Sequence, residues 1–229
     1  MARPSNVPTQ WETVSPVPVG WMRQFRYFCM LYDKILRVRG DVVECGLGEG
    51  NTFAMLAYLV ASENVGSRRT LYGFDSFRGW PEPATCDDSP RRPQKGELRV
   101  TSDMVIKRFQ ESGIHRAFPH LKLQIIPGFF SESLPNFSGT SRIALLHVDC
   151  DLYGSYRDVL KYLEPRVMPG GVIALDEYKE FPNSLEYGNG TVEKWPGCTK
   201  AVDDHFSGRN EEIRYHSETK KYYIIKGTR

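Results

Sequence analysis

The stretch HVDCDLYGS, residues 147–155, places two carboxylates, Asp149 and Asp151, after an apolar run, IALL, that reads as a buried strand. Alternate side chains share a face of a strand, so Asp149 and Asp151 point one way and Cys150 the other. Like charges that close repel unless a shared proton, a cation or open solvent relieves them. A second acidic pair, Asp176 and Glu177, ends another apolar run, GGVIALDEY. Oxygen donors of this kind suit a hard divalent cation such as Mg²⁺, and acids on two adjacent strand tips can reach one ion. One pair alone would read as solvated loop carboxylates or helix caps; two pairs at the ends of neighbouring buried strands favour a metal. His147 shares a side with Asp149 by alternation and either borders the site or packs in the core. His115, His120, His205 and His216 show no ligand spacing.

A glycine turn supplies the other chemical feature. ECGLGEGNT, residues 44–52, reads as a strand, a Gly-rich turn and a helix start. Gly46, Gly48 and Gly50 allow a tight turn and close approach to a ligand, although such turns also carry glycine for geometry alone. The pattern is G-x-G-x-G; Asn51 stands where the dinucleotide fingerprint has its third glycine, and no Gly-Lys pair of a phosphate loop occurs. Glu44 and Glu49 would repel a pyrophosphate and tolerate a cationic ligand. Asp75, in GFDSF, ends the second strand, where an acid is the usual partner of a ribose diol; a turn or cap role is the plain alternative. Trp80, Trp195, Tyr153 and Tyr178 fall beyond strand ends or in loops, where an aromatic packs on a sugar or, more simply, is buried.

The elements that must position these residues alternate. A helix over 21–38 is followed by the strand DVVECG, the glycine turn with its helix, the strand TLYGF and a helix over TSDMVIKRFQESG with Thr101 or Ser102 as N-cap. LKLQIIPG, IALLHVD and GVIALDEY read as three more strands, with the helix SYRDVLKYLEP between the last two. EEIRYHS and KYYIIKG form an antiparallel hairpin. Such alternation predicts an α/β fold: a Rossmann-like, doubly wound, mostly parallel sheet with a C-terminal antiparallel hairpin, whose ligands bind at the carboxyl ends of the strands. Residues 79–96, GWPEPATCDDSPRRPQKG, predict a long lid-like loop. Residues 21–229 form one domain, and the proline-rich residues 1–20 an extended arm.

Composition narrows the function classes. The 229 residues are 40% hydrophobic and 25% charged, with a net charge of +2. That balance is globular and argues against nucleic acid or a membrane as partner. The basic doublets Arg68-Arg69, Arg91-Arg92 and Lys220-Lys221 read as solvated surface. The five cysteines lack a Cys-x-x-Cys and suggest a reducing compartment. No run is apolar enough to span a bilayer and the N-terminus lacks a signal-peptide core, so a cytoplasmic location is expected.

Taken in order, ECGLGEGNTF, YGFDSFRGWPEP, GFFSESLP, LLHVDCDLYGSYRDVLKYLEPRVMPGGVIALDEY and WPGCTKAVDDHF resemble the macrocin O-methyltransferase family over about residues 20–227. These are class I S-adenosyl-L-methionine enzymes that methylate sugar hydroxyls of natural products with a divalent cation. The resemblance implies that Glu44, Gly46, Gly50, Asn51 and Thr52 line the methionine end of the cofactor. It puts Asp75 on the ribose hydroxyls with Ser76 beside it, Mg²⁺ on Asp149, Asp176 and Glu177, and the catalytic base at Asp151. The partner would be a small-molecule sugar hydroxyl, with self-association left open. Three positions depart from the family pattern: Glu177 replaces a second Asp, the turn reads Leu47-Gly48-Glu49 where bulkier or basic residues are usual, and His147 replaces a residue more often Leu or Arg. A catechol-type enzyme would carry Lys at position 152, which is Leu152. A nicotinamide oxidoreductase lacks its third glycine here, and the one Tyr-x-x-x-Lys, Tyr222 with Lys226, lies in a strand-like run. A non-catalytic homologue would not need four intact acids.

Overall fold

Strand β1, Asp41–Cys45, shows how the chain builds two faces. Val42 joins one apolar cluster and Val43 the other, because successive side chains leave a strand on opposite sides. The computed structural model describes residues 19–63 and 69–227. Within them β1 is joined by β2 Thr70–Asp75, β3 Lys122–Pro127, β4 Ile143–Val148, β5 Val167–Leu175, β6 Ile213–His216 and β7 Lys221–Ile225. These form one sheet in the order β3-β2-β1-β4-β5-β7-β6. The first five strands run parallel, β7 is antiparallel to β5, and β6 is antiparallel to β7. The expected doubly wound sheet with its C-terminal hairpin is therefore present. Every residue of β4 is buried, as a parallel strand covered on both faces requires.

Helices α1 Val19–Ile35, α2 Asn51–Ser62 and α3 Ser102–Ser112 cover one face; α6 Tyr153–Leu163 and α7 Pro196–Phe206 cover the other. Two single-turn helices, α4 Ile114–Ala117 and α5 Phe130–Ser133, flank β3. Helix α1 buries Tyr27, Phe28, Leu31, Tyr32 and Ile35, one helical stripe; full burial of each such side chain is worth roughly 1.5–3 kcal/mol. The Thr101 side chain caps α3 by accepting the Met104 N–H. The arm expected over 1–20 lies outside the described residues except for its last two, which open α1. No helix among the described residues is long and apolar enough to cross a membrane.

Two readings of the sequence change. Helix α7 was not expected, because its apolar positions are few; it starts with Pro196, whose fixed φ suits a first turn. The basic doublets are not uniformly solvated. Arg69 is buried and pairs with Glu63 at 2.7 Å, Arg91 lies over the rings of Trp80 and Trp195, and Lys221 pairs with Asp176. Lys221 and, through Trp195, Arg91 are held by groups distant in sequence, which local charge patterning does not reveal.

Residues 79–96 are closed on themselves. The Trp80 N–H donates to the Glu97 carbonyl and the Gly96 N–H to the Trp80 carbonyl, both at 3.0 Å. Between these ties a 3₁₀ turn, Thr85–Asp87, buries Asp87. Its Oδ1 accepts the first N–H of α6, from Tyr153, at 2.8 Å, and its Oδ2 accepts the Ala84 N–H. A Cβ on Gly197 would stand 1.7 Å from Asp87 Oδ1, so α7 can approach Asp87 this closely only because residue 197 is a glycine.

Candidate active site

The sheet order reverses between β1 and β4, and the carboxyl ends of these strands open a crevice. Backbone hydrogen bonds knit the tips together: Gly46 N–H to the Phe74 carbonyl at 2.8 Å, and Asp149 N–H to the Cys45 carbonyl at 2.9 Å. Asp75, at the end of β2, turns back on the glycine loop. Its Oδ2 accepts the N–H groups of Leu47 at 2.8 Å and Gly48 at 3.3 Å, and its Oδ1 accepts the Phe77 N–H. Ser76 Oγ braces the next turn by donating to the Gly79 carbonyl at 2.7 Å.

The four acids named from sequence converge. Asp149, Asp176 and Glu177 each place a carboxylate oxygen within 4.8 Å of the others. Asp151 reaches the cluster by a turn and not by strand alternation: β4 ends at Val148, and Asp151 adopts a left-handed φ of 60°, which Asp tolerates better than most side chains. Its N–H points to Glu177 Oε2 at 3.4 Å, and its own Oδ2 accepts the Trp80 indole N–H at 2.9 Å. Glu177 also accepts the hydroxyl of the fully buried Tyr156 at 2.5 Å. Lys221 donates to Asp176 Oδ2 at 2.6 Å. Glu44 and His147 are register neighbours on β1 and β4; the His147 ring joins them, with Nδ1 3.1 Å from Glu44 Oε1 and Nε2 3.7 Å from Asp176 Oδ1.

Charge in this cluster is only partly matched. Burial pushes the Asp149 carboxyl up to about 7, with Asp176 adding to it, and pushes Glu177 well above its ordinary range together with Asp149 and Asp151. Asp151 rises to about 6 by burial, against the pull of the Trp80 N–H. Burial lifts Glu44 to about 7, opposed by His147. Burial alone would lower His147, but the Asp176 and Glu44 carboxylates hold it up to about 10. Asp176 is the exception: burial would raise it, yet Lys221 and His147 hold it well below the usual carboxylate range. Among the described residues, His147 and Lys221 are the cations that pair directly with these five acids. Asp176 Oδ1 is buried and lacks a hydrogen-bond partner. An all-oxygen set with an unsatisfied member fits a hard divalent cation on Asp149, Asp176 and Glu177. The neighbouring trio Glu44, His147 and Asp149 is also close, but there a hydrogen bond between Glu44 and His147 already uses one atom of each.

In front of the cluster lies a cavity of about 670 Å³. Gly46, Asn51, Thr52, Asp75, Ser76, Asp149 and Asp151 line it, whereas Glu44, Gly50, Asp176 and Glu177 are not in its wall. Glu44 is fully buried behind the turn. Asn51 Oδ1, buried at the wall, has no hydrogen-bond partner and is fit to receive a ligand N–H or ammonium. The wall carries the carboxylates of Glu49, Asp75, Glu82, Asp149, Asp151 and Asp158 against one cation, Arg157, which is itself bonded to Asp158. Such a wall favours a cationic ligand. Sequence reasoning missed Tyr156, Lys221 and Asp87. Tyr156 reads as part of the apolar stripe of α6, and Lys221 and Asp87 as exposed charge.

A family model described as macrocin-O-methyltransferase (TylF) matches residues 22–189. The 8-demethyl-8-(2,3-dimethoxy-alpha-L-rhamnosyl)-tetracenomycin-C 4'-O-methyltransferase of Streptomyces olivaceus is 30% identical over 186 residues, 77% of this chain and 68% of that protein. The mycinamicin III 3''-O-methyltransferase of Micromonospora griseorubida is 31% identical over 175 residues, 73% of this chain and 67% of that one. In fold, the chain is similar to the calicheamicin methyltransferase CalS11, with a TM-score of 0.74 at 22% identity over 96% of this chain and 90% of that chain.

Proposed function

The chain belongs to the macrocin O-methyltransferase family, whose members are S-adenosylmethionine-dependent enzymes, and from that premise we propose that it methylates a sugar hydroxyl of a small glycosylated acceptor with the help of a divalent cation. The observation that carries the proposal is the convergence of Asp149, Asp176 and Glu177, with Asp176 Oδ1 buried and without a hydrogen bond, and Asp151 beside them. The sugar is supported by the relatives' names, which specify a rhamnosyl tetracenomycin and mycinamicin III.

When bound, S-adenosylmethionine would supply an electrophilic methyl group, and a divalent cation would supply Lewis acidity that eases deprotonation of the acceptor hydroxyl. The chain's own groups do the rest. The turn from Gly46 to Gly50 with Asn51 and Thr52 receives the methionine end, its acidic surroundings matching the sulfonium and ammonium charges. Glu44 supports that turn from behind by pairing with His147. Asp75 and Ser76 face the ribose, and Asp75 also pins the turn through the Leu47 and Gly48 N–H groups. Asp149, Asp176 and Glu177 hold the ion. Asp151 takes the hydroxyl proton: its Oδ2 is engaged by Trp80, which leaves Oδ1 for the proton. A positioned base of this kind is worth roughly a hundredfold to ten-thousandfold. Orientation in the cavity supplies further acceleration.

The hydride-transfer alternative has no support at its diagnostic pair. Tyr222 lies on β7, and Lys226, just beyond it, is buried against Glu164 and Glu211. The functional proposal is tested by incubating the protein with S-adenosylmethionine carrying a deuterated methyl group, Mg²⁺ and a panel of rhamnosides and catechols. Mass spectrometry should show one labelled methyl on a glycoside. Labelling of catechols alone would replace the sugar acceptor, and failure to bind S-adenosylhomocysteine would remove the methyl donor.

A further inference from the structure

We propose that Trp80 is a positioning residue for Asp151: its indole N–H fixes one carboxylate oxygen and leaves the other for the acceptor's proton. The proposal rests on the assignment of Asp151 as the base. Trp80 Nε1 donates to Asp151 Oδ2 at 2.9 Å, and among the described residues it is the only hydrogen-bond donor to that carboxylate. An acid one turn past its strand, at a left-handed φ, has no strand pairing of its own to hold the side chain. Its direction therefore depends on this partner.

The indole is itself held firmly. Trp80 is 6% exposed and meets Trp195 edge-on, with centroids 5.4 Å apart and planes at 80°. The Arg91 guanidinium lies over both rings, 4.9 Å from that of Trp80 and 5.8 Å from that of Trp195. Arg91 is ion-paired with Glu97, and the Glu97 carbonyl accepts the Trp80 backbone N–H. Trp80, Arg91 and Glu97 thus close a circuit within one loop. Simple burial of a tryptophan needs neither a guanidinium stacked on its face nor an N–H aimed at a carboxylate in the cavity wall. The Pro-rich loop therefore reaches the chemistry through the indole nitrogen as well as through its bulk.

Trp80→Phe keeps most of the packing surface and removes the N–H. The turnover number should fall about tenfold or more, in line with the loss of a hydrogen bond to a charged group, while KM for S-adenosylmethionine and binding of S-adenosylhomocysteine stay near wild type. In an Asp151→Asn background the same change should cost little further, because the carboxylate it positions is already gone. Additive losses, or full turnover by Trp80→Phe beside a slow Asp151→Asn, would overturn the positioning role and leave the base assignment standing. Wild-type turnover by Asp151→Asn would overturn the base assignment and the proposal with it. An acceptor-independent measurement keeps the test open even if Trp80→Phe folds poorly. In protein labelled with indole ¹⁵N, four resonances are expected, from Trp11, Trp21, Trp80 and Trp195, and the Trp80 signal is identified by exclusion with single Phe variants at the other three. Asp151→Asn should move that signal more than the other three. An unmoved Trp80 resonance would show that no such hydrogen bond holds the base.

Discussion

Gly46 and Asp149 approach so closely that a Cβ on Gly46 would stand 1.6 Å from the Asp149 carbonyl oxygen. With φ of 91° at Gly46, two penalties coincide, steric overlap and a backbone region that other residues avoid. The glycine turn and the acidic tip of β4 are thus one junction. Gly46→Ala should destabilise the fold by on the order of 2 kcal/mol or more and weaken S-adenosylhomocysteine binding at the same time. Thermal melts and calorimetry check this; a variant with wild-type Tm and affinity would show that the tips are less tightly joined.

Asp75 has two tasks in this account, pinning the Leu47 and Gly48 N–H groups and holding the ribose. Asp75→Ala should weaken S-adenosylhomocysteine binding by roughly 1.5–3 kcal/mol, the worth of hydrogen bonds to a charged group. Asp75→Asn, which keeps one acceptor oxygen for the turn, should fold like wild type and bind with intermediate strength. Unchanged affinity in both variants would place the ribose elsewhere.

Metal removal should separate the two halves of the cavity. EDTA should abolish turnover and Mg²⁺ restore it, while calorimetric affinity for S-adenosylhomocysteine barely changes, since in the proposed mechanism the ion would orient the acceptor and not the cofactor. Glu177→Asp should change Mg²⁺ affinity, because it shortens one arm of the ligand set and detaches it from the Tyr156 hydroxyl. Full turnover after rigorous chelation would exclude the cation.

The Lys221–Asp176 pair has a definite pH signature. Asp176 is held below its ordinary range, so its contribution to stability is present above the unfolded carboxyl value and disappears as pH falls through the lower folded value. Lys221 is held above its ordinary range, so its contribution is present below the unfolded lysine value. Both are intact at neutral pH. In EDTA, Lys221→Met should cost about 3 kcal/mol at pH 7, the scale for a buried charge losing its partner, and the deficit should shrink towards pH 4 as Asp176 protonates in the variant. A deficit independent of pH would mean that packing of the lysine stem, and not charge, is what the variant loses.

The strands were legible because buried parallel strands are continuous apolar runs: IALLHV and GGVIAL name themselves, and their acidic ends mark the site. Helix α7 was not, because the face it buries uses only a few apolar residues, Cys198, Ala201, Val202 and Phe206, among charged ones. The four acids were legible as a set but not in depth. Alternation along IALLHVDCD could not show that Asp151 arrives by a left-handed turn, or that Asp176 and Glu177 stand behind the cavity wall. Lys221, Tyr156 and Trp80 act through partners 45, 21 and 71 positions away, and such pairings arise only in the folded chain.

The assignment of Asp151 as base and Asp149 as metal ligand is tested most directly by titrating Asp151→Asn and Asp149→Asn with Mg²⁺ side by side, following turnover of the same glycoside. Asp151→Asn should lose roughly a hundredfold or more in turnover, the scale of a positioned base, and added Mg²⁺ should not restore it. Asp149→Asn should bind Mg²⁺ more weakly and recover part of its turnover at high Mg²⁺. Rescue of Asp151→Asn by Mg²⁺ would reverse the two roles, and wild-type turnover by that variant would contradict base catalysis by this residue.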